Sequence, residues 1–360
     1  MSVQKKIYKY KTLRNVAIRL RDDLNDQHFV LLYAFNGTGK TRLSMEFKDR
    51  SKKRNKNPET DTLYYNAYTE DLFHWNNDLE NDSERHLIIN KDSKFFEGFK
   101  ELALEEKIFE FLERYADFDF RIDYEEWTIT FKKGEENNIK ISRGEENIFI
   151  WCIFLAIAQL AIDDDEKTGP YKWVKYMYID DPISSLDDNN AIGVASDLAK
   201  LLRKGKEKVK VVISSHHSLF YNVMYNELKN IEHKSHFLHK NGAAGYLLQA
   251  TEDTPFFHHV ALLSELKKAA DTETANTYHF NMLRGILEKT STFFGFDDFS
   301  ACITGVEDEV LFSRALNLLS HGKYSIYQPA EMNDDNKALF NRIVYAFLGK
   351  YEFQLPEIFA

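Results

Sequence analysis

Along the first two thirds of the chain, short apolar runs alternate with amphipathic stretches, and beyond about residue 255 only the helical period remains. His28–Tyr33 (HFVLLY), Val174–Ile179 (VKYMYI) and Val209–Ile213 (VKVVI) carry the apolar content of strands buried on both faces. Thr62–Asn66, Trp127–Phe131 and Tyr246–Ala250 read as further strands, and Ile139–Ser142 as a short strand or lead-in. Lys94–Tyr115 has helical spacing, with Phe95, Phe99, Leu102, Ile108 and Leu112 on one stripe, and a helix follows from about Asn190 to Arg203. Ile148–Ile162 is apolar throughout except for Gln159; it is short for a bilayer and reads as a buried helix. Phe257–Ala270, Ala275–Phe294, Asp308–Leu319 and Asn336–Tyr351 predict four more helices. The expected architecture is an α/β domain over residues 1–255 followed by an all-α domain over residues 256–360.

A chain of 360 residues has room for two such cores. Its net charge of −10 argues against indiscriminate binding of polyanions, so a nucleic-acid partner must be met by local basic patches. The basic run Lys48, Arg50, Lys52, Lys53, Arg54, Lys56, Pro58 reads as a solvated loop, and Tyr68, Phe73, His74 and Trp75 as packing. Cys152 and Cys302 lack metal-ligand spacing and sit in apolar surroundings, as buried thiols of a reducing compartment do. Met1–Arg21 is basic and lacks the apolar centre of a signal peptide, so a cytoplasmic location without a membrane span is expected.

Chemistry enters directly after the first buried run. Ala34-Phe35-Asn36-Gly37-Thr38-Gly39-Lys40-Thr41-Arg42 is a glycine-bearing turn between a strand and a helix. Free N–H groups at the helix start attract an anion, Gly37 and Gly39 let the backbone approach phosphate, Lys40 supplies charge and Thr41 a hydroxyl for Mg²⁺. Ala34 stands where the common phosphate loop has its first glycine. Ser142-Arg143-Gly144-Glu145 opens the long apolar helix and offers a second anion-binding terminus. Asp180 and Asp181 end one apolar strand, where a carboxylate beside a phosphate loop holds Mg²⁺ and a second one orients or deprotonates water. Ser185 and Asp187 follow in a loop, and His216 ends the next strand.

In the last third, Arg284 and Glu288 share a helical face, and His321 follows Leu316–Ser320 at a helix end. By residue type they suit metal-free RNA cleavage: Glu288 takes the 2′-OH proton, His321 protonates the leaving 5′-oxygen and Arg284 stabilises the crowded phosphorane. The bland alternatives are a helix salt bridge and a helix cap. Arg314 and His321 also have the Arg-x₆-His spacing that resembles HEPN-type ribonucleases, which makes Arg314 a competitor for the phosphate. Phe256–Ala360 counts nine Lys and Arg against fourteen Asp and Glu, a net of −5 that runs against a basic RNA-binding face.

The order of phosphate loop, Ser-x-Gly-Glu turn, Asp-Asp, Ser-Ser-Leu-Asp and His resembles the ABC-type ATPase core. That resemblance assigns Asn36, Gly37, Thr38, Gly39, Lys40, Thr41 and Arg42 to the phosphates, and Thr41 and Asp180 to Mg²⁺. It gives Asp181 the place of the catalytic acid and His216 that of the switch histidine. Ser142, Gly144 and Glu145 would complete the nucleotide site of a second copy in a head-to-tail dimer or larger homo-oligomer, with Asp187 in the coupling loop. Asn66 is only a candidate for the glutamine loop. The strings Tyr33–Ser44, Tyr64–Glu80, Gly144–Trp151, Ile179–Asn189 and Leu219–Leu228, with Leu283-Arg284, Glu288-Lys289-Thr290 and Ser320-His321, resemble the PrrC anticodon nucleases. This resemblance implies an ABC-type NTPase fused to a HEPN-like ribonuclease domain. It further implies GTP or ATP with Mg²⁺, dTTP as a regulatory nucleotide, and cleavage of tRNA, typically tRNA-Lys, in the anticodon loop. A type I restriction–modification complex would hold the toxin silent as part of anti-phage defence. The rival readings are an ATPase whose helical tail only docks a partner complex, and an ABC ATPase acting on DNA.

Overall fold

The computed structural model describes residues 7–54, 60–66, 72–76, 85–96, 104–164, 169–183, 188–240, 245–251, 257–303 and 334–351, with Phe99 and Met332. Two compact units divide the chain, Lys6–Glu252 and, in the main, Asp253–Ala360. The elements of the first unit are β1 (Ile7–Tyr10), α1 (Leu13–Asp26), β2 (Phe29–Tyr33), α2 (Lys40–Arg54), β3 (Thr62–Asn66), β4 (Phe73–Asn76), β5 (His86–Ile89), α3 (Glu105–Leu112), β6 (Asp119–Asp123), β7 (Thr128–Lys133), β8 (Glu136–Asn137), α4 (Arg143–Asp163), β9 (Tyr176–Asp180), α5 (Asp188–Gly205), β10 (Lys210–Ser215), α6 (Ser218–Leu228), β11 (His233–Lys240) and β12 (Tyr246–Ala250). The second unit holds α7 (Phe257–Asp271), α8 (Thr277–Phe294) and α9 (Asp334–Lys350).

The main sheet has the order β1-β12-β11-β2-β10-β9-β3. From β11 to β3 every pairing is parallel, and β12 and β1 close one edge antiparallel. Because β2 is central, all five of its side chains are buried, which is why its sequence is apolar without alternation. Val16, Leu20 and Leu24 of α1 and Leu43 and Phe47 of α2 pack with Val30, Leu32, Tyr178, Val212 and Leu248. A second sheet, β4-β5-β7-β6 with β8 on β7, is antiparallel. Between the sheets runs α4, whose Trp151 and Phe154 meet Tyr65 of β3 and whose Phe149 meets Phe120 and Phe131 of the second sheet. A helix with partners on opposite sides must be apolar all round. Its length and hydropathy suit a membrane span, yet 72% of its most apolar window is buried inside the protein.

Several sequence expectations change. Lys94–Tyr115 is not one helix: Lys94–Phe96 is a single 3-10 turn, α3 begins at Glu105, and Leu112 leads into a turn. The apolar stripe there is real, since Phe95, Phe99, Ile108 and Leu112 are buried, but the buried positions come from separate elements. Within the basic run, residues through Arg54 continue α2 rather than forming a loop; Lys56 and Pro58 lie outside the described residues. Ile139–Ser142 is a lead-in and not a strand. Phe73 packs in the core while His74 is exposed, and Tyr68 lies outside the described residues, as does the whole Asp308–Leu319 segment. Cys152 and Cys302 are free and buried.

Arg21 of α1 ties three segments together. Its guanidinium donates to Asp61 Oδ2 at 2.9 Å and Oδ1 at 3.0 Å, to the Phe47 carbonyl at 2.8 Å and to Thr62 Oγ1 at 3.2 Å. Burial alone would raise the Asp61 carboxyl, but the bonds from Arg21 and Thr62 hold it below its ordinary 3.8. Such a pair stabilises the fold above that value, and its contribution is lost as pH falls through the depressed one. Arg21→Ala is expected to cost about 3 kcal/mol at pH 7, because Asp61 is left charged and unpaired. Thermal melts should show the gap to wild type narrowing below about pH 4; a gap that is constant with pH would sink this account.

Candidate functional site

The parallel strands end in register. Asn66 of β3 pairs with Asp180 of β9, Ser214 of β10 with Asp180, and Ser215 with Tyr33 of β2. One edge of the sheet therefore presents the loop after β2 beside the carboxylates after β9, the position where open α/β sheets bind ligands. The loop needs its glycines. Gly37 has φ +79°, and Gly39 has φ +107° with an added Cβ placed 3.1 Å from Leu13 Cδ1. Thr38 N–H donates to the Phe35 carbonyl at 3.2 Å, and Lys40 begins α2.

Six sequence-selected residues converge here. Lys40 Nζ lies 3.0 Å from Asp181 Oδ2 and donates to the Ala34 carbonyl at 3.1 Å and to Asn36 Oδ1 at 3.3 Å. Thr41 Oγ1 donates to Asp180 Oδ2 at 3.0 Å. Asp181 Oδ1 accepts from the His216 backbone N–H at 2.9 Å and lies 2.8 Å from His216 Nδ1. Asp181 adopts φ +50°, a left-handed conformation that Asp tolerates better than most residues and that concentrates at functional sites. Arg42 sits exposed in the first turn of α2.

The two adjacent carboxylates are pushed apart in acidity. Burial raises Asp180 to about 6, the neighbouring Asp181 charge adds to this, and the bonds from Ser214 and Thr41 offset only part of it. Asp181 is partly buried, but His216 and Lys40 outweigh the desolvation and hold it below 3.8. Ser214 Oγ, which the sequence reading did not select, donates to Asp180 Oδ1 at 2.6 Å. A serine two residues before a strand-end histidine is the only local signal for it. Thr41 and Asp180 are a hard oxygen donor set already in contact, which fits Mg²⁺ held by one or two protein oxygens with phosphate and water completing its shell.

Two other groups lie apart from this cluster in their bonding. Ser142 and Glu145 bond to each other as a capping box, Ser142 N–H to Glu145 Oε2 at 2.8 Å and Glu145 N–H to Ser142 Oγ at 3.3 Å. Gly144 has open space around an added Cβ, so this chain's own packing does not require a glycine there. In the second unit, Arg284 Nε donates to Glu288 Oε1 at 2.7 Å, with Arg284 partly buried and Glu288 exposed. Ser185, Asp187, Arg314 and His321 lie outside the described residues.

A cavity of about 630 Å³ opens beside Thr41 and Arg42. Lys11 and Arg14, Glu46 and Asp49 of α2, and Tyr246 of β12 line it. Three separate segments build it, so no local motif announced it.

Asp180 generates a test. Carrying its charge at pH 7.5 costs the ligand-free protein about 3 kcal/mol on the shift from 3.8 to about 6. Asp180→Asn should therefore raise the melting temperature at pH 7.5 and lose that advantage near pH 3, below both values, where both states of the wild type are mostly protonated. Mg²⁺-dependent nucleotide hydrolysis should fall at least about a hundredfold. A lower melting temperature at pH 7.5 would show that the Ser214 and Thr41 bonds fully offset burial.

A family model described as an AAA domain matches residues 101–343. An anticodon nuclease of Escherichia coli is 34% identical over 350 residues, covering 86% of this chain and 85% of that protein. Among solved structures, an SMC head bound to the C-terminal winged-helix domain of ScpA is 11% identical at TM-score 0.33, covering 63% of this chain and 91% of its own. The SMC head domain from Thermotoga maritima is 13% identical at TM-score 0.30, covering 61% and 89%. The extent and identity of the curated match place this chain in the anticodon nuclease family, with an AAA-type phosphate-loop ATPase domain.

Proposed function

We propose that this chain is a nucleotide-gated tRNA endoribonuclease that cuts in the anticodon loop. The observation that carries the reading is the match to an anticodon nuclease across most of both chains. The Arg284–Glu288 pair on an accessible face of α8 supports it, because a carboxylate and a guanidinium in contact are two of the three groups that metal-free RNA cleavage needs.

In this reading Glu288 accepts the proton of the 2′-hydroxyl as that oxygen attacks the adjacent phosphorus. Arg284 neutralises the extra charge on the pentacoordinate phosphorus, and His321 gives a proton to the departing 5′-oxygen. The products are a 2′,3′-cyclic phosphate and a 5′-hydroxyl, with no water consumed. Arg314 is the alternative phosphate ligand. Lysine tRNA is the proposed substrate.

Control rests with the ATPase unit. Gly37, Thr38, Gly39, Lys40, Thr41 and Arg42 hold the nucleotide phosphates, Thr41 and Asp180 hold Mg²⁺, and Asp181 with His216 positions the attacking water. GTP is the proposed nucleotide. Its base would enter the cavity beside Arg42, where Glu46 and Asp49 accept from guanine N1–H and the 2-amino group and Tyr246 offers a ring face. Ser142, Gly144, Glu145 and Asp187 would meet the nucleotide of a second copy in a head-to-tail assembly. dTTP as a regulatory nucleotide, a type I restriction–modification complex as the silencing partner, a cytoplasmic location and a role in anti-phage defence complete the reading.

Purified protein is incubated with total bacterial tRNA and GTP or ATP, and fragment ends are sequenced. Discrete cuts in one anticodon loop with cyclic-phosphate ends are expected. His321→Ala and Glu288→Gln should each lower cleavage about 10²–10⁴-fold while nucleotide hydrolysis persists. Intact tRNA alongside active hydrolysis would favour the docking reading, for which the Arg284–Glu288 contact is an ordinary helix ion pair.

A further inference from the structure

The exposed surface of α8 does not end at Glu288. Lys289, Thr292 and Phe293 beyond it are exposed as well, with Phe293 turned about 140° around the helix from Glu288, and Phe294 and Phe296 follow. Phe293 is 83% exposed, Phe294 51% and Phe296 39%. Phe296, Phe294 and Tyr351 form a near-parallel ladder: centroids lie 5.8 Å and 5.3 Å apart, each pair at 23°. Phe293 stands edge-on to Phe294 at 5.2 Å. Lys350 closes the far edge, fixed to the Ala301 carbonyl at 2.8 Å with its ammonium 5.9 Å from the Tyr351 ring centroid.

We propose that this aromatic surface is a stacking platform for unpaired nucleotides of the RNA substrate, leading the strand toward the Arg284–Glu288 pair. The inference rests on the RNA-cleavage reading above. Three observations favour unpaired bases as the occupant. The rings follow the Arg284–Glu288 pair on a single helix, with Phe293 about 7 Å along the axis from Glu288, so a strand of a few nucleotides that wraps the helix end can reach both. Its size suits a few bases: the three phenylalanines expose roughly 350 Å², at about 200 Å² per whole side chain, against the ~800 Å² each partner gives a stable protein interface. Its charge also fits. Residues 256–360 carry a net −5, which leaves phosphate neutralisation to local basic residues and weakens the general attraction of this unit for RNA. Stacking on aromatic faces is available to every base and needs no net positive field.

Full-length His321→Ala protein, which in this reading leaves RNA uncut, is titrated with a fluorescein-labelled lysine-tRNA anticodon stem-loop and with a fully paired RNA hairpin of equal length. Adding Phe293→Ala should weaken stem-loop binding about tenfold, and Phe293→Trp should preserve it. The slope of affinity against salt should not change, because no cation is removed. Binding of the paired hairpin should be unaffected. Phe293 is exposed, so unchanged melting temperatures will show that both variants fold. Equal stem-loop affinity with and without the Phe293 ring would overturn the platform, as would an equal loss on the paired hairpin. Sedimentation that shows Phe293→Ala dissociating an oligomer at unchanged RNA affinity would overturn it in favour of a contact between copies. The two readings separate cleanly. Cleavage by the His321-containing protein with affinity indifferent to Phe293 removes only the platform. Absent cleavage with affinity still set by Phe293 removes only the nuclease.

Discussion

Two carboxylates that follow one another at the end of a buried strand set the terms for the nucleotide site. Both Asp180 and Asp181 are desolvated, and their charges repel. The fold separates them by giving them different partners. Asp180, the last residue of β9, receives only hydroxyls, from Ser214 and Thr41, and is left easy to protonate. Asp181, one residue on and turned by its left-handed backbone, receives the Lys40 ammonium and the His216 ring and backbone. Hydroxyls can share an oxygen with a divalent cation, which lowers the cost of the buried charge; an ammonium and an imidazole instead hold a carboxylate ionised and in place.

The same arrangement links the phosphate loop to the strand ends. Lys40 is tethered both to loop carbonyls and to Asp181. A phosphate that draws on Lys40 competes with Asp181 for the same ammonium, and an Asp181 that loses Lys40 leans more heavily on His216. An anion bound at the loop would thereby be felt one strand away at the end of β10, through contacts of about 3 Å or less. That is the physical content of a switch: a charge added at one point redistributes hydrogen bonds at another.

Much of this was legible in the sequence, for identifiable reasons. β2, β9 and β10 are buried on both faces and end in loops of polar residues, so short strings such as FNGTGKT and IDD mark both the strand and the candidate chemistry at its end. Elements with one exposed face were harder. Leu13–Asp26 is an amphipathic helix whose apolar stripe is interrupted by three basic and three acidic residues, and β11 has polar residues at six of its eight positions. The apolar stripe from Phe95 to Leu112 imitated one helix because separate turns bury residues at similar spacing. Ser214 and the cavity with Glu46, Asp49 and Tyr246 depend on contacts between distant segments, and no spacing rule encodes those.

An acidic protein that acts on RNA faces a physical problem that its helical unit illustrates. Phosphate neutralisation gives affinity without discrimination, and it holds duplex and loop alike. A unit with net −5 forgoes most of that attraction. Among the described residues, α8 and the turn after it expose an ion pair and a set of rings, groups that engage a reacting phosphate and a splayed base but little of a paired stem. Low charge then works in favour of selectivity: RNA that cannot offer unstacked bases gains too little to stay, and an anticodon loop, whose bases are already unpaired, pays the smallest unstacking cost to bind.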